Sequence, residues 1–198
     1  MKRKKYGLLI SIFLLVFLIL FSGISGMRRP EKAEEKSEEM VSESRARTEK
    51  IKNEDYADQN KNPLIVVADK DVTAAVNQYY IHRGEQADYI EYYKDIKVYT
   101  KEGPYRDSYI VFARYNMKIK GIYTEVPGLD TLYLEKDEDG KWKLTADISS
   151  EEIKNSVQEI AVHTDVEELL EQTQTAYEEA VASDAILREA LSDLENAI

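Results

Sequence analysis

The run SYIVFARYNMKIKG, residues 108–121, decides the fold of this 198-residue chain. Its odd positions are apolar along the whole run: Tyr109, Val111, Ala113, Tyr115, Met117 and Ile119. Its even positions begin apolar at Ile110 and Phe112 and become polar from Arg114 onward. Because side chains alternate between the two faces of a strand, this period of two predicts a long β-strand over Ser108–Gly121. One face of its sheet is then buried throughout, and the other face only at one end.

Three shorter runs with the same character predict the neighbouring strands. They are Ile96–Thr100, Leu129–Glu135 and Trp142–Thr145. Turn-forming residues separate the strands at Gly103-Pro104, Pro127-Gly128 and the hairpin Asp137–Gly140. Short connections of this kind join antiparallel neighbours. The pattern therefore predicts a bent antiparallel sheet of four strands.

Helical spacing precedes the strands. Asp71 can cap a helix that starts at Val72 and is broken at Gly84. A second, short helix is predicted over about Glu85–Tyr93. The pattern leaves two core faces open for it, one with Ala87, Ile90 and Tyr93 and one with Tyr89 and Tyr92.

Two more helices, each with a capping box, and then a last helix follow the strands. Ser149 has Glu152 three residues later, and Thr164 has Glu167. The last helix begins after Ser183-Asp184. All three have apolar stripes, which need a partner surface on this domain or on another chain.

The N-terminus predicts a membrane anchor. Four cations, residues 2–5, precede the uncharged run Tyr6–Met27, and Leu8–Phe21 is almost wholly apolar. Such a run is long enough to cross a bilayer as a helix. The cations predict a cytoplasmic N-terminus and an extracytoplasmic domain on a single-pass cell-membrane protein. A cleaved signal peptide is the other interpretation, because Ser22–Gly26 offers small residues to a peptidase.

Composition divides the chain into four parts. Residues 1–27 are the basic tip and anchor, and residues 28–62 form a charged spacer with too few apolar residues to fold alone. Residues 63–147 form the folded domain. Residues 148–198 form the acidic amphipathic helices, expected to pack on the domain or on a partner.

Residue usage excludes several kinds of site. The chain has no cysteine and two histidines, His82 and His163, which excludes thiolate sites and multi-histidine metal sites. We therefore expect no metal and no cofactor. Residues 147–198 carry two cations against 14 acids, which argues against nucleic acid as a partner.

The segments of the predicted sheet and of one late helix resemble a known family. They are Ile96–Pro104, Ser108–Phe112, Lys120–Thr124, Pro127–Tyr133, Asp137–Gly140 and Tyr177–Asp184. They are similar to a family of membrane-anchored, extracytoplasmic nuclear transport factor 2-like (NTF2-like) domains of Gram-positive bacteria. The resemblance spans residues 64–198 and implies an α+β cone, with N-terminal helices packed on the bent sheet. Family members often continue into a bacterial SH3-type domain, absent after Ile198, and the family implies no established activity.

Eleven of the 14 tyrosines fall between Tyr79 and Tyr133. One interpretation is an aromatic platform for a glycan or peptide, with Tyr105, Tyr109 and Tyr123 as its candidate residues. The other is that the tyrosines fill a small core and point their hydroxyls to solvent. On the last helix, Leu191 and Leu194 are candidates for a partner surface.

The residues favour a non-enzymatic interaction module tethered to the membrane. Its expected partners are the membrane itself and an envelope protein or a cell-wall component. One alternative is an assembly subunit of a membrane secretion or conjugation complex. A pocket enzyme of the ketosteroid-isomerase type is a further alternative, which needs a carboxylate base and a tyrosine donor in an apolar cavity. No motif in the sequence singles out such a pair.

Overall fold

The computed structural model describes residues 50–196. Within this range lie five strands and four helices, so the predicted α+β class is confirmed. The elements, in chain order, are β1 (Ile65–Val66), α1 (Lys70–Gln86), β2 (Ile90–Glu102), β3 (Ser108–Ile119), β4 (Val126–Lys136), β5 (Trp142–Thr145), α2 (Glu151–Ala161), α3 (Thr164–Ser183) and α4 (Ala185–Asn196). One compact unit ends at Leu187, and the rest of α4 belongs to a second unit.

The five strands form one antiparallel sheet in chain order, β1-β2-β3-β4-β5. The predicted meander is confirmed, with β1 as an additional short strand at one edge. The predicted burial of β3 is also confirmed. Its odd face is covered along nearly its whole length, whereas its even face is buried as far as Phe112 and only partly from Arg114 onward.

The predicted short helix over Glu85–Tyr93 is wrong. α1 passes through Gly84 to Gln86, and the chain then enters β2 at Ile90. Ile90 pairs with Ile119, and Tyr93 with Met117. Aromatic and β-branched side chains fit a half-buried sheet surface, so pairing with β3 outweighs the local helical spacing. α1 also begins two residues earlier than predicted, because Asp69 rather than Asp71 is its N-cap.

The predicted turn at Pro127-Gly128 is wrong as well. Both residues lie inside β4, where Pro127 pairs with Asn116 and Gly128 with Tyr115. A Cβ at Gly128 would lie 2.5 Å from the Tyr115 ring. The glycine therefore makes room for an aromatic ring on the neighbouring strand, rather than a turn.

The helices after the sheet are confirmed, but the predicted capping boxes are wrong. Ser150 and His163 are the N-caps of α2 and α3, and neither side chain makes a capping bond. α4 begins after Asp184, as predicted, and the Asp184 carboxylate accepts hydrogen bonds from the amides of Ile186 and Leu187.

Helices cover both faces of the sheet. α1 contacts β2 and β5, and α3 contacts β4. Tyr80 on α1 reaches Asp130, whose cross-strand partner Ala113 lies on the odd face of β3. Asp165 on α3 reaches Lys101, whose partner Ile110 lies on the even face. The sheet thus lies between α1 on one side and α3 on the other.

Residues 50–62, called the strap here, lie against the end of the sheet where β2 turns into β3. The Asn53 amide donates to the Pro104 carbonyl, and the Arg106 amide donates to the Ile51 carbonyl. Lys52 forms a β-bridge with Tyr105. The strap therefore contacts the sheet, although the predicted domain boundary at Pro63 places it outside the folded domain. The remainder of the predicted spacer lies outside the described residues.

Residues 50–196 contain no helix that is long and apolar enough to cross a membrane. The predicted anchor, with its core at Leu8–Phe21, lies outside the described residues.

Candidate functional site

Asp130 on β4 is the most deeply buried acid of the described chain. Its Oδ2 accepts a hydrogen bond from the Tyr80 hydroxyl at 2.8 Å and one from the Arg83 guanidinium. Its Oδ1 accepts from the Tyr115 hydroxyl at 3.3 Å. Burial raises the pKa of Asp130, whereas the Arg83 charge and the three hydrogen bonds act in the opposite direction. Both carboxylate oxygens are thus occupied by side chains of the protein.

Tyrosine rings fill the space around this carboxylate. The ring centroids of Tyr80, Tyr93 and Tyr115 lie 5.0–5.2 Å apart in every pairing. The Arg83 guanidinium lies 5.7 Å from the Tyr93 centroid, within the range of a cation–π contact. Burial raises the pKa of all three tyrosines, so their hydroxyls stay protonated, and those of Tyr80 and Tyr115 donate to Asp130. The cluster contains the residue types of an acid–base site, but these two hydroxyls and the guanidinium use their hydrogen bonds on the carboxylate.

The second buried cluster holds the strap in place. The Lys101 side chain is fully buried, and its Nζ donates to the Asn62 carbonyl at 2.6 Å and to Asp165 at 2.9 Å. It lies 3.1 Å from Nδ1 of His163, which therefore accepts, while Nε2 donates to the Ala57 carbonyl at 3.0 Å. These bonds join the strap, β2 and the start of α3.

Asp165 is the anionic member of this cluster. Its Oδ2 also accepts from the Leu64 amide at 2.7 Å, while its Oδ1 is buried without a partner. Partial burial acts to raise the pKa of Asp165. The bonds from Lys101 and Leu64 outweigh that effect and lower the pKa.

A groove of about 410 Å³ opens between the strap and α2. Its lining mixes carboxamide, carboxylate and ammonium groups around one aromatic ring: Lys52, Asn53, Glu54, Tyr56, Pro104, Glu152, Asn155 and Ser156. Glu152 accepts a hydrogen bond from the Tyr105 hydroxyl and pairs with Lys52 at 2.9 Å. We call this the strap groove. Its groups suit a polar ligand, but Lys52 and Glu152 pair with each other, and Asn53 and Tyr56 donate to Glu102 and Glu159.

A second groove, of about 510 Å³ and widely open, lies between the sheet and α3. Arg114 on β3 faces Glu168, Glu171, Gln172 and Thr175 of α3 across it. Lys97 on β2 is the direct cross-strand partner of Arg114. This part of the sheet therefore carries cations, although the chain as a whole has a net charge of −11.

The structure separates the three candidate tyrosines. Tyr105 lies beside the strap groove, and Tyr109 is half-buried with its ring 5.2 Å from Trp142. Tyr123 follows β3 at the other end of the sheet and is 93% exposed. Leu191 is half-buried on α4, and the Leu194 side chain lies outside the described residues. A role of these residues in recognition stays a prediction.

Sequence reasoning missed Asp130, Lys101 and the strap. Asp130 shares its strand face with Leu132 and Leu134, so alternation assigns it to a buried face, and a charge at such a position is the signal that was available. Lys101 gives no such signal, because alternation places it on the same face as Lys97. The strap offers no such signal, because polar groups rather than apolar periodicity hold it.

In the part of the chain that the structure describes, no group of three or more His, Cys, Asp or Glu side chains is arranged to hold a metal ion. No family model, no curated protein and no solved structure matches the chain.

Proposed function

We propose that the chain is a non-enzymatic binding module with an NTF2-like fold, held outside the cell membrane by the Leu8–Phe21 anchor. The antiparallel meander, with α1 on one face and α3 on the other, supports the fold. The basic tip before the apolar run supports the orientation.

The buried carboxylate of Asp130, with a bond from the protein to each of its oxygens, carries the proposal. A general base needs a free oxygen within hydrogen-bond reach of its substrate. Both oxygens of Asp130 are engaged by Tyr80, Tyr115 and Arg83, and the carboxylate is fully buried. The cluster therefore supports the fold rather than a reaction, and recognition falls to the surface.

The strap lies at one end of the sheet, which leaves the opposite end as the part that the proposed module presents to its partner. Lys50 pairs with Glu135 beside the β2–β3 turn, so the tether joins the domain at this end. β3 rises by about 3.3 Å per residue, which places Tyr123 some 40 Å farther along the sheet. The end of the sheet away from the strap carries the most exposed aromatic ring of the described residues, that of Tyr123.

Site-specific photo-crosslinking in the native membrane tests this proposal. A benzophenone amino acid replaces Tyr123 in one full-length variant and exposed Lys141 on the β4–β5 hairpin in a matched control. We expect an adduct with one envelope component from position 123 and none from position 141. The absence of adducts from both positions contradicts the proposal. An adduct with a subunit of a membrane complex would favour the assembly role instead.

A further inference from the structure

His163 lies buried where the strap, β2 and the start of α3 meet. The residue is 5% exposed and is the N-cap of α3. Its Nε2 donates to the Ala57 carbonyl of the strap at 3.0 Å, and its Nδ1 lies 3.1 Å from Nζ of Lys101 on β2. The ring is therefore a direct link between the strap and the rest of the domain.

The Lys101 ammonium determines which protons the docked ring can carry. An ammonium group has three N–H donors and no acceptor. Lys101 directs two of its donors at the Asn62 carbonyl and the Asp165 carboxylate. The third points at Nδ1 of His163, which has to accept it. Because Nε2 donates to Ala57, the docked ring is the neutral tautomer with its proton on Nε2.

A second proton on this ring would turn an attraction into a repulsion. A protonated Nδ1 accepts no hydrogen bond, and it places a positive charge next to the Lys101 ammonium. Water screens this pair poorly, because the Lys101 side chain is fully buried and His163 nearly so. Histidine gains its second proton between about pH 5 and pH 8, so mild acid is enough to create the repulsion.

Asp165 on α3 is the carboxylate of this cluster, and it already balances one cation. Its Oδ2 accepts from an ammonium and from a backbone amide, whereas its Oδ1 has no partner among the described residues. Asp58 of the strap and Glu159 of α2 accept hydrogen bonds from the Asn60 amide and the Tyr56 hydroxyl. A second buried cation therefore lacks a carboxylate of its own, unless the ring turns toward Oδ1 of Asp165.

The strap itself is held by few buried contacts. Of residues 50–62, only Asn62 is buried, and its carbonyl bonds to the same Lys101 ammonium. Segments with little buried surface open locally at a small cost in free energy. A charge that disturbs Lys101 and His163 together thus acts on two of the bonds that hold the strap.

We infer that the strap is a pH-sensitive latch, which is docked while His163 is neutral and is released when the ring gains a second proton. The released ring can hold a proton that the docked ring cannot, so acid favours the released state. In the anchored arrangement proposed above, release lengthens the tether by up to about 40 Å of extended chain.

Hydrogen exchange of the full-length protein in a neutral detergent tests the latch. Mass spectrometry follows strap peptides at about pH 7.5 and about pH 5.0, with rates corrected for the intrinsic pH dependence of exchange and with β3 as the internal reference. Asp165 stays ionised at both pH values, because its bonds outweigh its partial burial and lower its pKa. We expect the open population of the strap to rise about tenfold or more in acid.

The two histidines of the chain supply matched variants. His163→Gln keeps a donor and an acceptor on the side chain but cannot gain a proton. Its strap should open to the same degree at both pH values, within about twofold. His82→Gln removes the exposed imidazole of α1 and should respond to acid as the wild type does.

Three results overturn the inference: strap opening that does not change with pH, an equal increase in His163→Gln, and stronger protection in acid. The last would mean that the imidazolium pairs with Oδ1 of Asp165. If His163→Gln leaves the strap open at both pH values, the imidazole NMR signals of the wild type decide. Protonation of His163 and loss of strap protection should then share one midpoint, and separate midpoints overturn the latch. Crosslinking from position 123 does not depend on the strap, so the two proposals fail separately.

Discussion

Gly128 determines where the Tyr115 ring lies in the protein interior. Its missing Cβ leaves the Tyr115 ring in contact with the backbone of β4, and the Tyr115 hydroxyl reaches Asp130 from there. Tyr80 and Tyr93 hold the ring on its other sides. The ring has little freedom to move away from an added methyl group.

Gly128→Ala should therefore destabilise the protein by about 1–3 kcal/mol, as overpacking of a core does. Gly84→Ala is the matched control, because its Cβ would meet Tyr93 at 3.8 Å, an ordinary contact, inside a helix. The control should be neutral or stabilising by up to about 1 kcal/mol. Chemical denaturation of both variants measures the difference. Equal effects would show that Tyr115 moves freely.

Asp130 and Arg83 form a buried pair, in which the Arg83 side chain is 15% exposed. Asp130→Asn removes the charge that balances the guanidinium, which should cost about 3–5 kcal/mol of folding free energy. Tyr115→Phe removes one hydrogen bond to the same carboxylate and should cost only about 1 kcal/mol. Thermal unfolding of both variants measures which of them loses more stability. An Asp130→Asn protein as stable as the wild type would contradict the expected order.

At the scale of elements, alternation predicted β3 and β5 well because strands of a covered sheet bury every second residue. The prediction for the first half of β2 was wrong because Ala87, Ile90 and Tyr93 also fit helical spacing, and only long-range pairing with β3 decides between helix and strand. The prediction of a turn at Pro127-Gly128 was wrong for the same reason, since both residues lie inside β4 and pair with β3. Pairing across the sheet is not visible in a local window of sequence.

The start of α3 gives a pH-dependent prediction. The pKa of Asp165 is lowered in the folded protein, mainly by its bonds to Lys101 and Leu64, which outweigh its partial burial. Its contribution to stability is therefore full above the ordinary value of about 3.8 and is lost as the pH falls through the lowered pKa. The stability difference between wild type and Asp165→Asn should be constant near neutral pH and shrink below about pH 4. Denaturation across this range measures it, and a difference that grows on acidification would contradict the assignment.

At the scale of the whole molecule, the strap links the predicted tether to the folded domain. Asn62 donates to the carbonyls of Tyr56 and Glu102 and accepts from the Glu102 amide, and its own carbonyl accepts from Lys101. Sequence patterns place these residues in a spacer because they are polar. Their bonds make them part of the domain instead.

A fragment of residues 50–198 should therefore be more stable than one of residues 63–198. The shorter fragment leaves the buried Lys101 ammonium and the His163 ring without their strap partners. Unpaired buried polar groups cost about 1–3 kcal/mol each. Comparison of the two melting temperatures tests this, and equal values would mean that the strap contributes nothing to folding.

We propose that the interior cluster serves folding and that recognition takes place on the surface. The most direct measurement is the photo-crosslinking yield from position 123 in native membranes, with and without Tyr115→Phe. We predict the same yield and the same adduct in both proteins, because the Tyr115 hydroxyl serves only Asp130 inside the fold. A folded Tyr115→Phe protein that loses its adduct would place recognition in the interior and contradict the account.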